Sequence, residues 1–223
     1  MRALTLVTLL LATMLSATAA RATALATVDF GAEQPSSAAR FAVESILASG
    51  GQARRCFAVV DKGDARVYVF DALGHLLGAA PVLLGQQVGD ATVPGVGDKR
   101  PEDVLPSERT TPAGRFVTEP GRNLDEEDVV WVDYGASFAI HRVRAGTSYA
   151  ARMARLQTRS PAAHRVSFGC VVVDGEFFDR VIWPAFGHGA GIVYVLPETR
   201  PVASLFPRAP VEIAGTVKTS LSR

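Results

Sequence analysis

Cysteine occurs only twice in this chain of 223 residues and histidine only four times, at His75, His141, His164 and His188. No pair of cysteines has C-x-x-C spacing and no H-E-x-x-H stretch occurs, so neither a structural zinc site nor a zinc hydrolase is expected. The acidic run Asp125-Glu126-Glu127-Asp128 lacks the alternating ligands and the glycine of a calcium loop and reads as a solvated turn. A G-x-S-x-G elbow and a G-x-x-x-x-G-K-[ST] phosphate loop are also missing, which removes the common serine hydrolases and nucleotide binders. No metal and no cofactor is expected. Charge of one sign is not in excess either: 23 basic residues face 22 acidic ones, and the arginines are scattered. Nothing in that balance recruits nucleic acid.

Long apolar runs are confined to the N-terminus, "MRALTLVTLLLATMLSATAARATALA". Arg2 supplies a positive end, Leu4 to Leu15 a short apolar stretch threaded with Thr, and Ala24-Leu25-Ala26 a small-x-small cleavage pattern. Residues 1–26 therefore read as a signal peptide, and the mature chain as exported to the periplasm or cell wall. Only an uncleaved signal would tie it to a membrane. Loss of Arg2 and Arg21 with the peptide takes the formal charge from +1 to −1. On count alone, export opens the way to a Cys56–Cys170 disulfide.

Residues 27–55 read as a linker followed by one amphipathic helix, with Ser36 or Ser37 at its start and Gly50-Gly51 at its end. From Cys56, β-branched runs alternate with turn residues: "CFAVVD", "RVYVFD" and "HLLGAAPVLLG" predict two meandering hairpins. Residues 86–111 are rich in Gly, Pro and charge, without periodicity, and a stretch of that kind can wall a cleft as a lid. Order resumes with "TPAGRFVTEPG", then two strands around Gly135 in "VVWVDYGASFAIHRV". "SYAARMARLQ" is helical, "SFGCVVV" a strand, "DGEFFDRVIWPAF" a helix capped by Asp174 and "GIVYVLPE" a last strand. The expected fold is mainly β (α+β), a sandwich or barrel of hairpins with helices in an insertion and at one side. Its main domain is 56–197, and 198–223 forms a tail.

The chemistry that remains is a thiol and an imidazole. Cys170 follows Gly169 at a Ser-Phe-Gly step, where backbone N–H groups can approach a substrate. His141 ends the strand "SFAIH". His164, six residues before the cysteine, competes with it as base; a strand edge holds an imidazole more rigidly than the turn around His164 does.

"AIHRV" followed by "SFGCVVV", with "TTPAGRF" (Thr110 to Phe116) ahead of both, resembles the active-site signature of the YkuD-type L,D-transpeptidases. The likeness covers roughly Cys56 to Pro197. The chain departs from that pattern at Phe168, where members often carry His, and at Val172, where Arg or Asn often helps hold the site or a substrate carboxylate. The interval from His141 to Cys170, 29 positions, is also longer than in many members, a helical insert accounting for it.

The resemblance implies that Cys170 attacks a peptidoglycan stem peptide, forms a thioester, releases a terminal D-amino acid and passes the acyl group to an acceptor amine, a wall-linked lipoprotein being one candidate acceptor. It implies His141 as base, the Arg142 carbonyl as the group orienting it, Gly169 and Cys170 N–H groups as oxyanion donors and Ser167 as a brace of the turn. Beside an imidazole the thiol is expected to ionise near neutral pH. A disulfide would extinguish that activity, so Cys56 reads as a small core hydrophobe. Arg142, Arg144, Arg152, Arg155, Arg159 and Arg165 surround the interval and read either as partners for stem carboxylates or as a solvated helix face. Two alternatives stand beside transfer: hydrolysis of the same thioester (an L,D-carboxypeptidase), and a non-catalytic wall-binding protein with a decayed site.

Overall fold

The structure, a computed structural model, describes residues 28–206; the signal-peptide reading of 1–26 lies outside them. Ser36 caps helix α1 (Ser37–Ser49), its hydroxyl accepting from Ala39 N at 3.0 Å, and Gly50 ends the helix with φ +67°. These are the stop and start signals the sequence carries, a short hydroxyl side chain for orphan N–H groups and a glycine for the left-handed exit.

Strands β1 (Phe57–Asp61), β2 (Arg66–Phe70) and β3 (Leu76–Pro81) form the two expected hairpins. After the short β4 (Leu84–Gly85) the chain wanders through three single 3₁₀ turns between Val96 and Glu108 before β5 (Gly114–Val117) and β6 (Glu119–Arg122). Then follow β7 (Asp128–Asp133), β8 (Phe138–Arg142), helix α2 (Tyr149–Leu156), β9 (Arg165–Ser167) and β10 (Val171–Val173). Helical segments Gly175–Phe177, Phe178–Ile182 and Trp183–Phe186 run consecutively from the Asp174 cap, and β11 (Ile192–Val195) closes the order. The middle segment widens into a π turn. Pro184 lies two residues beyond it and cannot donate to the carbonyl of Arg180, four residues back, which loosens the ladder there.

The strands make a five-stranded sheet, β3-β2-β1-β11-β5, and a four-stranded sheet, β10-β8-β7-β6, with β4 and β9 paired between them. Both sheets contribute to one core: Ala58, Val60, Val67, Val193 and Val195 from the first meet Val130, Val132, Ile140, Val171 and Val173 from the second, together with Phe178, Ile182 and Phe186. The first sheet's other face packs on α1 through Phe57, Val59, Tyr68, Phe70, Ile192 and Tyr194. The fold is thus α+β and mainly β, an open sandwich rather than a closed barrel, with one helix against a side and another in the insertion.

Three strands differ from the sequence reading, each for a physical reason. β1 is buried at every position instead of alternating, because it lies between β2 and β11 with apolar cover on both faces. "GRFVTEPG" is two strands in different sheets: the chain crosses over at Thr118, which is fully buried, donates its N–H to Gly191 O and accepts Gly191 N–H on Oγ1. "SFGCVVV" likewise breaks at Phe168–Cys170, with β9 beside β4 and β10 beside β8.

Lys62 is fully buried, an outcome no periodicity predicts. Its ammonium bonds Gly89 O, Asp90 Oδ1 at 3.0 Å and Thr111 O at 2.9 Å, with Glu198 at 3.4 Å; Arg165 pairs with the same Glu198. Two cations and two carboxylates thereby tie β1 to residues 89–111, to β9 and to the segment after β11. Burial alone would raise Asp90, but hydrogen bonds from Thr199, the Glu198 amide and Lys62 outweigh it and hold the carboxyl well below its usual range. Glu198 is also lowered, its bonds from Arg165 and Gly89 overcoming burial. With both carboxylates depressed, their stabilisation is fully present above about pH 4, the unfolded value, and is lost as pH falls through the folded values. Lys62→Ala, which strands buried carboxylates, is expected to cost about 3–5 kcal/mol. Urea unfolding at pH 7 measures the loss, and the same titration at pH 3 should show a smaller difference between variant and wild type.

Candidate active site

β8 and β10 are parallel neighbours with Val171 opposite Ile140 and Val172 opposite His141. Ile140 and Val171 point into the shared core, so His141 and Val172 project from the sheet's other face, and Cys170, one step before Val171, falls on that outer face opposite Ala139. Outer-face Val172 packs with Leu83, Val143 and Leu156 of helix α2, and Cys170 and Met153 lie against this cluster. The insert therefore folds back over the sheet and walls the thiol from one side. Residues 95–98 wall another side: Gly97 abuts Gly135, where a Cβ on Gly97 would stand 2.1 Å from Gly135 O, and Ser137 Oγ donates to Gly97 O.

The imidazole is held by its own backbone. His141 Nδ1 lies 2.8 Å from Arg142 O, so the Nδ1–H tautomer donates there and leaves the Nε2 lone pair free. Arg142 is itself anchored: its guanidinium pairs with Asp179 at 2.6 Å and lies 4.4 Å over the Phe178 ring.

The nucleophile turn is bound from both sides. Ser167 Oγ donates to Cys170 O at 2.6 Å and accepts Gly169 N–H at 3.1 Å. Thr111 Oγ1 accepts Gly85 N–H and donates to Gly169 O, both at 2.8 Å, while Lys62 holds the Thr111 carbonyl. Gly169 has φ +131°, and a Cβ there would meet Thr110 O at 2.9 Å. A side chain would thus be strained by backbone and contact together. Gly169→Ala is expected to lower stability by about 2 kcal/mol and to displace Cys170; a fall in thermal midpoint with loss of thiol reactivity checks it.

Two sequence expectations change. Gly169 N–H is spent on Ser167 Oγ, so it is not a free oxyanion donor; no described hydrogen bond uses Cys170 N–H. The thiol and imidazole are also not poised as an ion pair. Cys170 Sγ donates to Ser137 O at 3.5 Å, and burial pushes its pKa up, more than the Ala139 amide and the Arg144 charge draw it down. Burial pushes His141 down to about 4, helped by Arg144 and Arg152 and opposed by the Arg142 carbonyl. Partial withdrawal from water disfavours both charged forms, biasing thiol and imidazole alike toward their neutral states.

His164 is settled by its surroundings. It is buried with Nδ1 2.9 Å from Val82 O and Nε2 3.2 Å from Thr158 O, both nitrogens facing backbone carbonyls. It pins the end of the insert and leaves no nitrogen for a substrate. Cys56 and Cys170 are both free thiols; Cys56 packs against the shared core. Of the arginines around the interval, Arg142, Arg144 and Arg165 have carboxylate partners, and Arg155 donates to Ala163 O. No cluster of His, Cys, Asp and Glu suited to a metal occurs among the described residues.

No protein-family model and no curated protein matches the chain. Among solved structures it is similar to a fused Zn-dependent amidase/peptidase/peptidoglycan-binding domain-containing protein from Clostridium acetobutylicum, at 16% identity and TM-score 0.37, covering 73% of this chain and 64% of that one. An L,D-transpeptidase from Mycobacterium smegmatis is similar at 17% identity and TM-score 0.35, with 63% and 58% covered. The helical cell shape determining protein of Campylobacter jejuni is similar at 13% identity and TM-score 0.41, with 66% and 49% covered. The chain spans from about half to about two thirds of the length of these proteins. None of these similarities assigns a role to a residue; the chemistry rests on the side chains themselves.

Proposed function

We propose that the protein is an exported cysteine acyltransferase of the L,D-transpeptidase type, acting on peptidoglycan stem peptides. The observation that carries this reading is the placement of Cys170 and His141 on one face of neighbouring parallel strands, with Nδ1 of the imidazole fixed by the Arg142 carbonyl and Nε2 unspent. A nucleophile, a base and a group orienting the base are the three parts an acyl-transfer site needs.

In the reaction, Cys170 Sγ leaves its bond to Ser137 O and attacks the carbonyl of the diamino acid in the donor stem, while its proton passes to His141 Nε2. The oxyanion takes the Cys170 N–H. The tetrahedral adduct collapses with cleavage of the C–N bond, and the imidazolium returns the proton to the departing D-amino acid's amine, leaving a thioester. An acceptor amine attacks the thioester, His141 takes that amine's proton, and the thiol is restored by the same proton as it leaves. A neutral thiol beside a neutral imidazole suits this cycle, because the proton moves only when substrate arrives.

Intact-mass analysis after incubation with a tetrapeptide stem tests the reading. An adduct on Cys170 with an added mass equal to the stem less the released D-amino acid is expected, and a cross-linked product when a second stem is supplied. Release of the D-amino acid with no cross-link would replace transfer by hydrolysis. A protein that binds stems yet never forms the adduct would leave the wall-binding alternative in place.

A further inference from the structure

We propose that the Arg109 guanidinium, stacked on Phe168 at the nucleophile turn, is a subsite for a carboxylate of the ligand engaged there; this rests on the acyl-transfer reading above. Arg109 lies at the end of the long connection between β4 and β5, half-buried, with its guanidinium carbon 4.0 Å over the Phe168 ring. Phe168 is 42% exposed, two residues before the sulfur, in a turn where an apolar side chain gains little by facing water.

The surrounding hydrogen bonds leave that cation uncompensated. Nε and Nη2 both donate to Val104 O, at 3.1 and 2.9 Å, and Nη1 donates to Gln86 Oε1 at 3.2 Å. Both acceptors are neutral. Several basic groups around the site are paired, Lys99 with Glu108, Arg142 with Asp179, Arg144 with Asp125 and Glu127, and Arg165 with Glu198. No carboxylate pairs with Arg109 among the described residues. A guanidinium has five N–H groups in a plane, so one on Nη1 and one on Nη2 remain.

The fit to a carboxylate follows from this geometry. Val104 O and Gln86 fix the plane, the Phe168 face removes water from one side, and the unused N–H groups are two parallel-capable donors of the kind that match a carboxylate. Immobilisation ahead of binding lowers the entropy lost when the anion arrives. The same contact accounts for Phe168: its exposed ring is the floor on which the cation rests. Residues 86–111, ordered through Lys62, Asp90 and the Gln87–Thr110 bridge, carry the subsite to the thiol.

Calorimetric binding of a tetrapeptide stem to the Cys170→Ala protein, with and without Arg109→Met, tests the inference. Stems with free carboxylates, and with the glutamyl, the diamino-acid or the terminal carboxylate amidated, form the four arms. We expect Arg109→Met to weaken the free stem by about tenfold or more, and one amidated stem to bind with that same loss and to be indifferent to the variant; that arm names the carboxylate. Arg109→Lys should recover part of the affinity by charge alone, and Phe168→Leu should weaken binding without changing which stem is preferred. Unchanged affinity in Arg109→Met, an equal loss for every stem, or no stem binding at all overturns the subsite. Adduct formation at Cys170 in the wild-type protein is scored separately. Arg109-dependent binding without an adduct keeps the subsite and removes the acyl-transfer reading; an adduct whose rate ignores both amidation and Arg109→Met does the reverse.

Discussion

Cys170→Ser is expected to lower the rate of acyl-enzyme formation on the order of 10⁴-fold or more, although the substitution exchanges one small nucleophile for another. The site has little with which to activate an alcohol. Its base is an imidazole whose own pKa is pushed down to about 4, and the group that attacks sits in a half-buried position that disfavours an anion. Sulfur tolerates that arrangement because its proton is held far more loosely than a hydroxyl's. Time-resolved intact mass on the serine variant measures the loss. Circular dichroism should show an unchanged fold, since Ser167, Thr111 and Gly169 bind the backbone of the turn and not the side chain of residue 170. An adduct that persists in Cys170→Ser and maps to Cys56 would move the nucleophile to the shared core, away from His141, and end the proposal.

The second large effect concerns His141 and its pH dependence. His141→Ala is expected to slow acylation by about 10²–10⁴-fold. In the wild-type protein the rate should fall as pH drops through about 4, because the base is the neutral imidazole and its folded pKa is depressed to that value. From about pH 5.5 upward the acid limb is complete, and no second rise is expected near neutrality, since the thiol's shift is upward. Iodoacetamide alkylation of Cys170 provides the independent check: slow at pH 7, with its midpoint above the ordinary thiol value of about 8.5, since burial shifts this thiol upward. An alkylation midpoint at or below pH 7 would show a preformed thiolate–imidazolium pair instead.

Much of the first sheet was legible because its signals are local. Ser36 and Gly50 bracket α1, and Lys62-Gly63-Asp64 and Ala72-Leu73-Gly74 mark the two hairpins, each within a few residues of the strands they join. The parallel pairing of β1 with β11 was not legible, since Phe57 and Ile192 meet across most of the chain and both strands read only as apolar runs. The crossover at Thr118 left no mark either: a buried threonine holding Gly191 looks in sequence like any strand threonine. At the site, residue types and order offered Cys170 and His141 as candidates, and the resemblance added the Arg142 carbonyl. The engagement of Gly169 N–H, the neutral charge states and the exclusion of His164 depend on hydrogen-bond partners far away in sequence, Val82 and Thr158 among them. Lys62 shows the limit most clearly, because a lysine in a turn reads as solvated until Asp90, Thr111 and Glu198 converge on it.

The margin of the second sheet beside the thiol has a consequence for how a peptide gets in. β10 ends that sheet, yet Val172 exchanges both of its main-chain bonds with Leu83, N–H to O at 2.9 Å and O from N–H at 2.8 Å. The flank is plugged by the protein's own chain, and an incoming peptide finds no open row of amides there to zip onto. Under the proposed function, a stem peptide would descend broadside onto the sheet, between the α2 insert and the 95–98 segment, gripped by its side groups rather than its spine.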